Sequence, residues 1–117
     1  MKDNGWDSLR ERLRDFAIAR DWEQFHSPKN LAMALAGEAG ELVACMQWST
    51  EQESLNLAPN KLAEVELEMA DVLIYLVRLA DRLEVDLLAA VDRKIAINER
   101  RYPVERVRGS SKKYDEY

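Results

Sequence analysis

The sequence has one cysteine, one histidine and no long apolar run, and each shortage excludes a class of protein. Cys45 stands alone, so one chain can form neither an intrachain disulfide nor a zinc site built from thiolates. His26 is the sole histidine, which leaves no Ser-His-Asp or Cys-His catalytic arrangement to propose. No segment approaches the roughly 20 apolar residues of a bilayer span, and the polar N-terminus has no signal-peptide core. We therefore expect a cytoplasmic protein without a membrane anchor.

The size and charge of the chain indicate one acidic domain with a basic end. A length of 117 residues, 47% hydrophobic and 33% charged, predicts a single globular domain over 1–117, whose basic tail begins at about 103. The net charge is −5, but the residues from Arg93 onward carry +4, which leaves −9 on the first 92. This asymmetry suits a site where metal cations meet a polyanionic ligand, although a solvated charged surface is the simpler interpretation.

Helical periodicity dominates, and no stretch alternates with period two. The spacing predicts four helices, at about 6–22, 28–48, 61–83 and 86–100, with 49–60 as a polar loop. Ser27 before Pro28 is typical of a helix N-cap, and Asp86 is a second capping candidate. The third helix has the clearest apolar stripe, made of Leu62, Val65, Met69, Val72, Leu73, Leu76, Leu79 and Leu83. The predicted fold is all-α and four-helix bundle-like, and apolar residues on more than one face of the middle helices predict assembly as an oligomer.

Two helices carry acidic pairs at spacing i, i+3, beside their apolar stripes. Glu38 and Glu41 lie on the second helix, and Glu68 and Asp71 lie on the third, within a row that continues to Tyr75. If the helices pack antiparallel, four carboxylates converge, and a divalent cation would relieve their repulsion. All-oxygen ligation favours Mg²⁺, with Mn²⁺ as the alternative. Exposed acids without a ligand would give the same spacing.

Two glycines in the second helix need a compensating role, since each costs roughly 1 kcal/mol against alanine there. With Met33 and Ala44, Gly37 and Gly40 form a low-relief face that another helix or a ligand could approach closely. A di-iron carboxylate bundle would require Glu-x-x-His on two helices, and His26 belongs to no such motif.

Aromatic and basic residues flank the acidic pairs. Trp22, His26 and Trp48 could stack on a nucleobase, although core packing explains any one tryptophan as well. The ends of antiparallel neighbouring helices would not bring all three together, so joint action needs a different packing or a second chain. Four cationic side chains could bind phosphate oxygens, namely Lys94, Arg101, Lys112 and Lys113.

The motifs resemble a known family. "GEAGEL" and "ELEMADVLIYLV" resemble the two signature halves of the MazG-like all-α nucleoside triphosphate pyrophosphohydrolases, E-x-x-E followed after a spacer by E-x-x-D. Other stretches are similar to its dCTP pyrophosphatase branch: "RDFAIARDWEQFHSPKNLAMALAGEAGEL", "QW", "DVLIYLVRLADRLEVDL", "INERRYP" and "SSKKY". The similarity covers nearly the whole chain apart from its first residues and 49–60.

The resemblance implies a function and a set of site residues. It implies Mg²⁺-dependent cleavage of a nucleoside triphosphate between the α and β phosphates, with dCTP or a modified dCTP as substrate and nucleotide-pool cleaning as the role. The implied metal ligands are Glu38, Glu41, Glu68 and Asp71, with Glu38 or Glu41 as the base that activates water. The implied substrate contacts are Trp22, His26 and Trp48 for the base, Tyr75 and Asn98 for the sugar or base, and Lys94, Arg101, Lys112 and Lys113 for phosphate.

The resemblance also implies a homo-oligomer, either a dimer or a dimer of dimers, with sites built from more than one chain. Such an assembly would remove the objection about the distant tryptophans. Two alternatives remain: the same chemistry on another nucleoside triphosphate, and a helical interaction module whose acidic face binds a basic partner without chemistry. Neither a nucleic-acid polymer nor a membrane is an expected partner.

Overall fold

A computed structural model describes residues 5–112 and 115–116, and every regular element in them is helical. The helices are α1 (Trp6–Ala19), a short 3₁₀ helix (Glu23–Phe25), α2 (Pro28–Met46), α3 (Glu51–Ser54), α4 (Pro59–Arg82), α5 (Leu87–Arg101) and α6 (Val104–Val107). The all-α class predicted from the sequence is confirmed. The chain divides between Glu84 and Val85 into two compact units, the first containing α1 to α4 and the second α5 and α6. The extent of a single domain over 1–117 stays a prediction.

The first unit is built around α2 and α4, which pack along each other, while α1 packs on α4. Two contacts fix their relative direction. Arg82, at the end of α4, donates from Nε to the carbonyl oxygen of His26, just before α2 begins, at 3.0 Å. Glu38, in the second half of α2, lies beside Glu68 and Asp71 in the middle of α4. Since the start of one helix meets the end of the other, α2 and α4 are antiparallel, as the carboxylate argument required.

Side-chain caps begin three of the helices. The Asn30 backbone N–H donates to Ser27 Oγ at 3.1 Å, and that of Ala89 donates to Asp86 Oδ1 at 3.0 Å, which confirms both predicted caps. Thr50 and Glu53 form a reciprocal capping box that starts α3. The prediction of 49–60 as a plain loop is therefore wrong, although the sequence T-E-Q-E carries the signal.

The predicted ends of the long helices shift by a few residues. The first helix ends at Ala19 instead of Trp22, because Asp21 adopts a left-handed conformation with φ 55° and the Trp22 N–H turns back to the Ala17 carbonyl oxygen at 2.9 Å. The second helix ends at Met46, before Trp48. α4 begins at Pro59, two residues earlier than predicted, because proline is well suited to a first turn.

The core of the first unit is small. Its buried apolar side chains are Ala17, Leu31, Val65, Val77 and Ala80. Four members of the predicted α4 stripe are instead exposed, namely Leu62, Met69, Leu73 and Leu83. Two neighbouring helices do not cover every side of a 24-residue helix, and this exposure agrees with the apolar residues that the sequence places on more than one face of α4. No helix in the described ranges has the length and apolar content that crossing a membrane demands.

Candidate active site

Three half-buried carboxylates converge between α2 and α4. Glu68 and Asp71 lie one turn apart on α4, and Glu38 projects from α2, so that one oxygen of each lies within 4.8 Å of the others. Three oxygen donors at this separation match the ligands of a hard divalent cation such as Mg²⁺ or Mn²⁺. The chemistry of the donor set therefore fits the metal that the sequence led us to expect.

Glu41 is exposed and lies outside this three-carboxylate group. Three residues turn an α-helix by about 300°, which leaves Glu41 roughly 60° around α2 from Glu38. The expectation that four carboxylates converge is met by three in the described structure. The negative charge of Glu41 still contributes to the electrostatics of the group.

Partial burial and the negative charges of its neighbours make Glu38 favour the binding of a proton or a cation. Partial burial is the largest cause that raises the pKa of Glu38, and the charges of Asp71, Glu68 and Glu41 raise it further, in that order. A bound cation would replace this repulsion with attraction and reverse the direction of the shift.

A cavity of about 220 Å³ lies next to the carboxylates. Its lining includes Phe16, Trp22, His26, Asp71, Tyr75 and Arg78. The Phe16 and Trp22 rings meet edge to face with centroids 5.8 Å apart, and the Trp22 and His26 rings lie 6.3 Å apart. Asp71 thus belongs both to the carboxylate group and to the wall of an aromatic cavity.

His26 lines this cavity in surroundings that disfavour the charged imidazolium. Burial is the main cause that lowers its pKa, and the positive charge of Arg78 lowers it further. Its Nδ1 is buried and has no hydrogen-bond partner among the described residues. A flat aromatic ligand in this cavity could stack on the neighbouring rings.

Comparison with known proteins identifies the family. The sequence model of the MazG-like family matches residues 34–117, which is more than half of the chain. The chain belongs to the MazG-like family. The resemblance drawn from the acidic motifs is confirmed.

Named relatives of the MazG-like chain are similar to it over most of its length. It is 49% identical over 112 residues to human dCTP pyrophosphatase 1, which covers 94% of this chain and 66% of that protein. It is 48% identical over 110 residues to the Bos taurus protein of the same name, covering 92% and 65%. A solved crystal structure of a pyrophosphatase from Archaeoglobus fulgidus superposes with a TM-score of 0.82 at 39% identity, covering 88% of this chain and 96% of that one. The chain thus spans about two thirds of the length of the curated relatives it matches.

The predicted substrate residues fall into two sets. Trp22, His26 and Tyr75 line the cavity of the first unit, whereas Trp48 lies beyond the end of α2 with 89% of its surface exposed and is not part of the lining. Lys94, Asn98, Arg101 and Lys112 lie in the second unit; Asn98 is half-buried and the others are exposed. Lys113 lies outside the described residues. The roles proposed for these residues stay predictions.

The structure adds cavity residues that sequence analysis missed. Neither Phe16 nor Arg78 is among the site residues predicted from the sequence, yet both line the cavity. The signal for Arg78 was present, because the row of Glu68, Asp71 and Tyr75 reaches it with one further step of three residues. An arginine on a long helix is expected to be exposed, and this general expectation hid the position.

Proposed function

We propose that this chain is a divalent-metal-dependent nucleoside triphosphate pyrophosphohydrolase acting on dCTP or a modified dCTP. The products would be the nucleoside monophosphate and pyrophosphate. The observation that carries this proposal is the double role of Asp71, whose carboxylate belongs to the three-carboxylate group while the same residue lines the aromatic cavity. A nucleotide whose nucleobase lies in the cavity would therefore place its phosphates beside the carboxylates. The names of the curated relatives support the cytosine base and the reaction.

The side chains divide the work. Glu38, Glu68 and Asp71 would hold Mg²⁺ or Mn²⁺. When bound, this cation would offset the negative charge of the triphosphate and promote attack on phosphorus. Trp22 and Tyr75 would flank the nucleobase, and His26 would contact its polar edge. Lys94, Asn98, Arg101, Lys112 and Lys113 are proposed as sugar and phosphate contacts, because their donors suit anionic oxygens.

Glu38 and Glu41 are the candidates for the base that takes the proton from the attacking water. A cation held by Glu38 lowers the basicity of that carboxylate. Glu41 lies outside the three-carboxylate group, so a cation held by that group leaves the Glu41 carboxylate uncoordinated. We therefore favour Glu41 as the base, with the other three acids as ligands.

We propose that the protein assembles as a dimer or a dimer of dimers. Large apolar side chains are exposed on α2 and α4, among them Met33, Val43, Leu67 and Met69, which is more than a lone chain of this size usually leaves uncovered. A second chain could also supply the Trp48 side chain that the cavity of one chain lacks. Light scattering on the purified protein would report the number of chains. The cytoplasmic location stays a prediction.

Pyrophosphate release from a panel of nucleoside triphosphates, with and without Mg²⁺, tests the function. We expect release from dCTP and its modified forms in the presence of Mg²⁺, and loss of roughly 100-fold or more in rate for Glu38→Gln and Asp71→Asn. Glu66→Gln is the matched control, because Glu66 is an exposed acid on α4 outside the group, and this variant should keep full activity with unchanged helical content. Absence of release from every nucleotide would contradict the proposal, and release from a different nucleotide would correct the substrate alone.

A further inference from the structure

Arg78 is a charged residue buried in the first unit, with 2% of its surface exposed. Two carboxylates neutralise it. Its Nη2 donates to Glu23 Oε1, and its Nη1 donates to Asp81 Oδ2 at 2.9 Å. Burying a charge is costly unless a partner with good geometry compensates it, so this cluster requires each of its members in place.

The ion pair with Glu23 joins two parts of the chain that are 55 residues apart. Glu23 lies in the connection 20–27 between α1 and α2, which also carries Trp22 and His26. The second oxygen of Glu23 accepts from Arg82 Nη1 at 2.8 Å. The same Arg82 donates from Nε to the His26 carbonyl oxygen at 3.0 Å. Two neighbouring turns of α4 therefore hold the connection at two points.

Arg78 also lines the cavity, on the same face of α4 as Asp71 and Tyr75. These residues follow at steps of four and three, so they share one face of the helix. α4 thus forms one wall of the cavity, and two aromatic rings of the connection, those of Trp22 and His26, belong to another wall. Arg78 contacts the connection from within α4 and so sets the separation of the two walls.

We propose that Arg78 is a positioning residue for the nucleotide: through Glu23 it holds Trp22 and His26 at the separation from Asp71 and Tyr75 that a bound base needs. This inference rests on the proposed function. Without the ion pair the aromatic wall moves while the three carboxylates keep their own helices and contacts. Binding of the nucleotide then weakens, and the chemical step changes little.

Steady-state kinetics of Arg78→Met, Glu23→Gln and the double variant test the proposal. Each single variant should raise KM for the nucleotide by about fivefold or more, with kcat within about threefold of the parent chain. The KM of the double variant should not exceed that of the single variant with the higher KM, because the two residues act as a pair. Lys61→Met is the matched control: it removes an exposed ion pair with Glu64, 3.3 Å long, from the same helix, and it should leave both constants unchanged.

Hydrogen exchange measured by mass spectrometry gives a second readout that does not depend on activity. We expect faster exchange of the backbone amides of 20–27 in Arg78→Met and Glu23→Gln, with the middle of α2 and α4 unchanged. If Arg78→Met does not fold, Glu23→Gln decides alone, because Glu23 is partly exposed and the amide is similar in size.

Two results from the variants overturn the inference. Unchanged KM in folded variants would do so, and so would loss of kcat in proportion to loss of folded protein, which is the outcome of a merely structural role. A parent chain that hydrolyses no nucleotide would overturn the proposed function and this inference with it. An active parent chain with an unchanged KM in the variants overturns the inference alone.

Discussion

At the scale of single residues, the three-carboxylate group has a built-in repulsion that a cation would remove. The pKa of Glu38 is raised above its ordinary value of 4.5, by burial first and then by its acidic neighbours. The folded state therefore binds this proton more tightly than the unfolded state does. The contribution of Glu38 to the free energy of unfolding is thus most favourable below its ordinary pKa, and it becomes unfavourable as the pH rises through the raised value.

This linkage predicts how metal and pH act together on stability. In EDTA, the free energy of unfolding of the parent chain should fall relative to that of Glu38→Gln as the pH rises from about 4 to 7. With saturating Mg²⁺ at pH 7 the parent chain should instead have a larger free energy of unfolding than Glu38→Gln, because the carboxylate then binds the cation. Denaturant titrations at each pH measure both. Parallel pH curves for the two proteins in EDTA would contradict the repulsion.

Sequence predicted the pairing of Glu38 with Glu68 and Asp71, because helical spacing and antiparallel packing suffice to bring them together. It could not predict the exposure of Glu41, which depends on a rotation of about 60° around α2 and on which side faces α4. The burial of Arg78 was equally beyond spacing rules, since it depends on the acids that a distant connection delivers.

At the scale of helices, Asp81 joins α1 to α4. Arg14 donates from Nε and Nη2 to its two carboxylate oxygens at 2.9 and 2.5 Å, and Arg78 donates to one of them as well. The hydrogen bond from Arg14 is the main cause that lowers the pKa of Asp81, and it acts against burial. The stabilisation that this carboxylate gives is present above its ordinary pKa and is lost as the pH falls through the lowered one.

We expect Asp81→Asn to lower the free energy of unfolding by roughly 2 kcal/mol at pH 7, because charge-assisted hydrogen bonds are lost from a partly buried site. The deficit should shrink as the pH falls below about 4, because the unfolded parent chain takes up this proton first and the folded carboxyl takes it up only at its lowered pKa. Asp7→Asn is the matched control: Asp7 pairs with Arg10 at 3.2 Å on the exposed surface, and its loss should cost less than about 0.5 kcal/mol. Equal losses for the two variants at pH 7 would show that the Asp81 pairs add no more than a surface contact.

Helix starts were easier to predict than helix ends. Ser27 and Asp86 carry their capping signal in the side chain itself, and both caps form. The end of α1 depends on the left-handed backbone of Asp21, a conformation for which sequence rules look to glycine. The sequence pattern therefore predicts that the helix continues from Ala19 to Trp22.

At the scale of the whole molecule, the apolar residues exceed what the described helices can cover. The amphipathic pattern of α4 correctly predicts a helix, but it does not say whether a side chain meets its own chain or another. Beyond the neighbouring residues and backbone of α2, no atom of the described residues lies within 4 Å of a Cβ added at Gly37 or Gly40. No contact in the described part of the chain therefore requires these glycines, which agrees with a face that a second chain or a ligand approaches.

The central claim is that the three-carboxylate group and the aromatic cavity form one site, joined at Asp71. Calorimetry with a dCTP analogue that cannot be hydrolysed, in the presence and absence of Mg²⁺, tests this claim most directly. The account predicts that Mg²⁺ raises the affinity of the parent chain by about tenfold or more, and that Asp71→Asn abolishes this gain. Equal affinity with and without Mg²⁺ in the parent chain would contradict the claim, because the cation and the nucleotide would then bind independently.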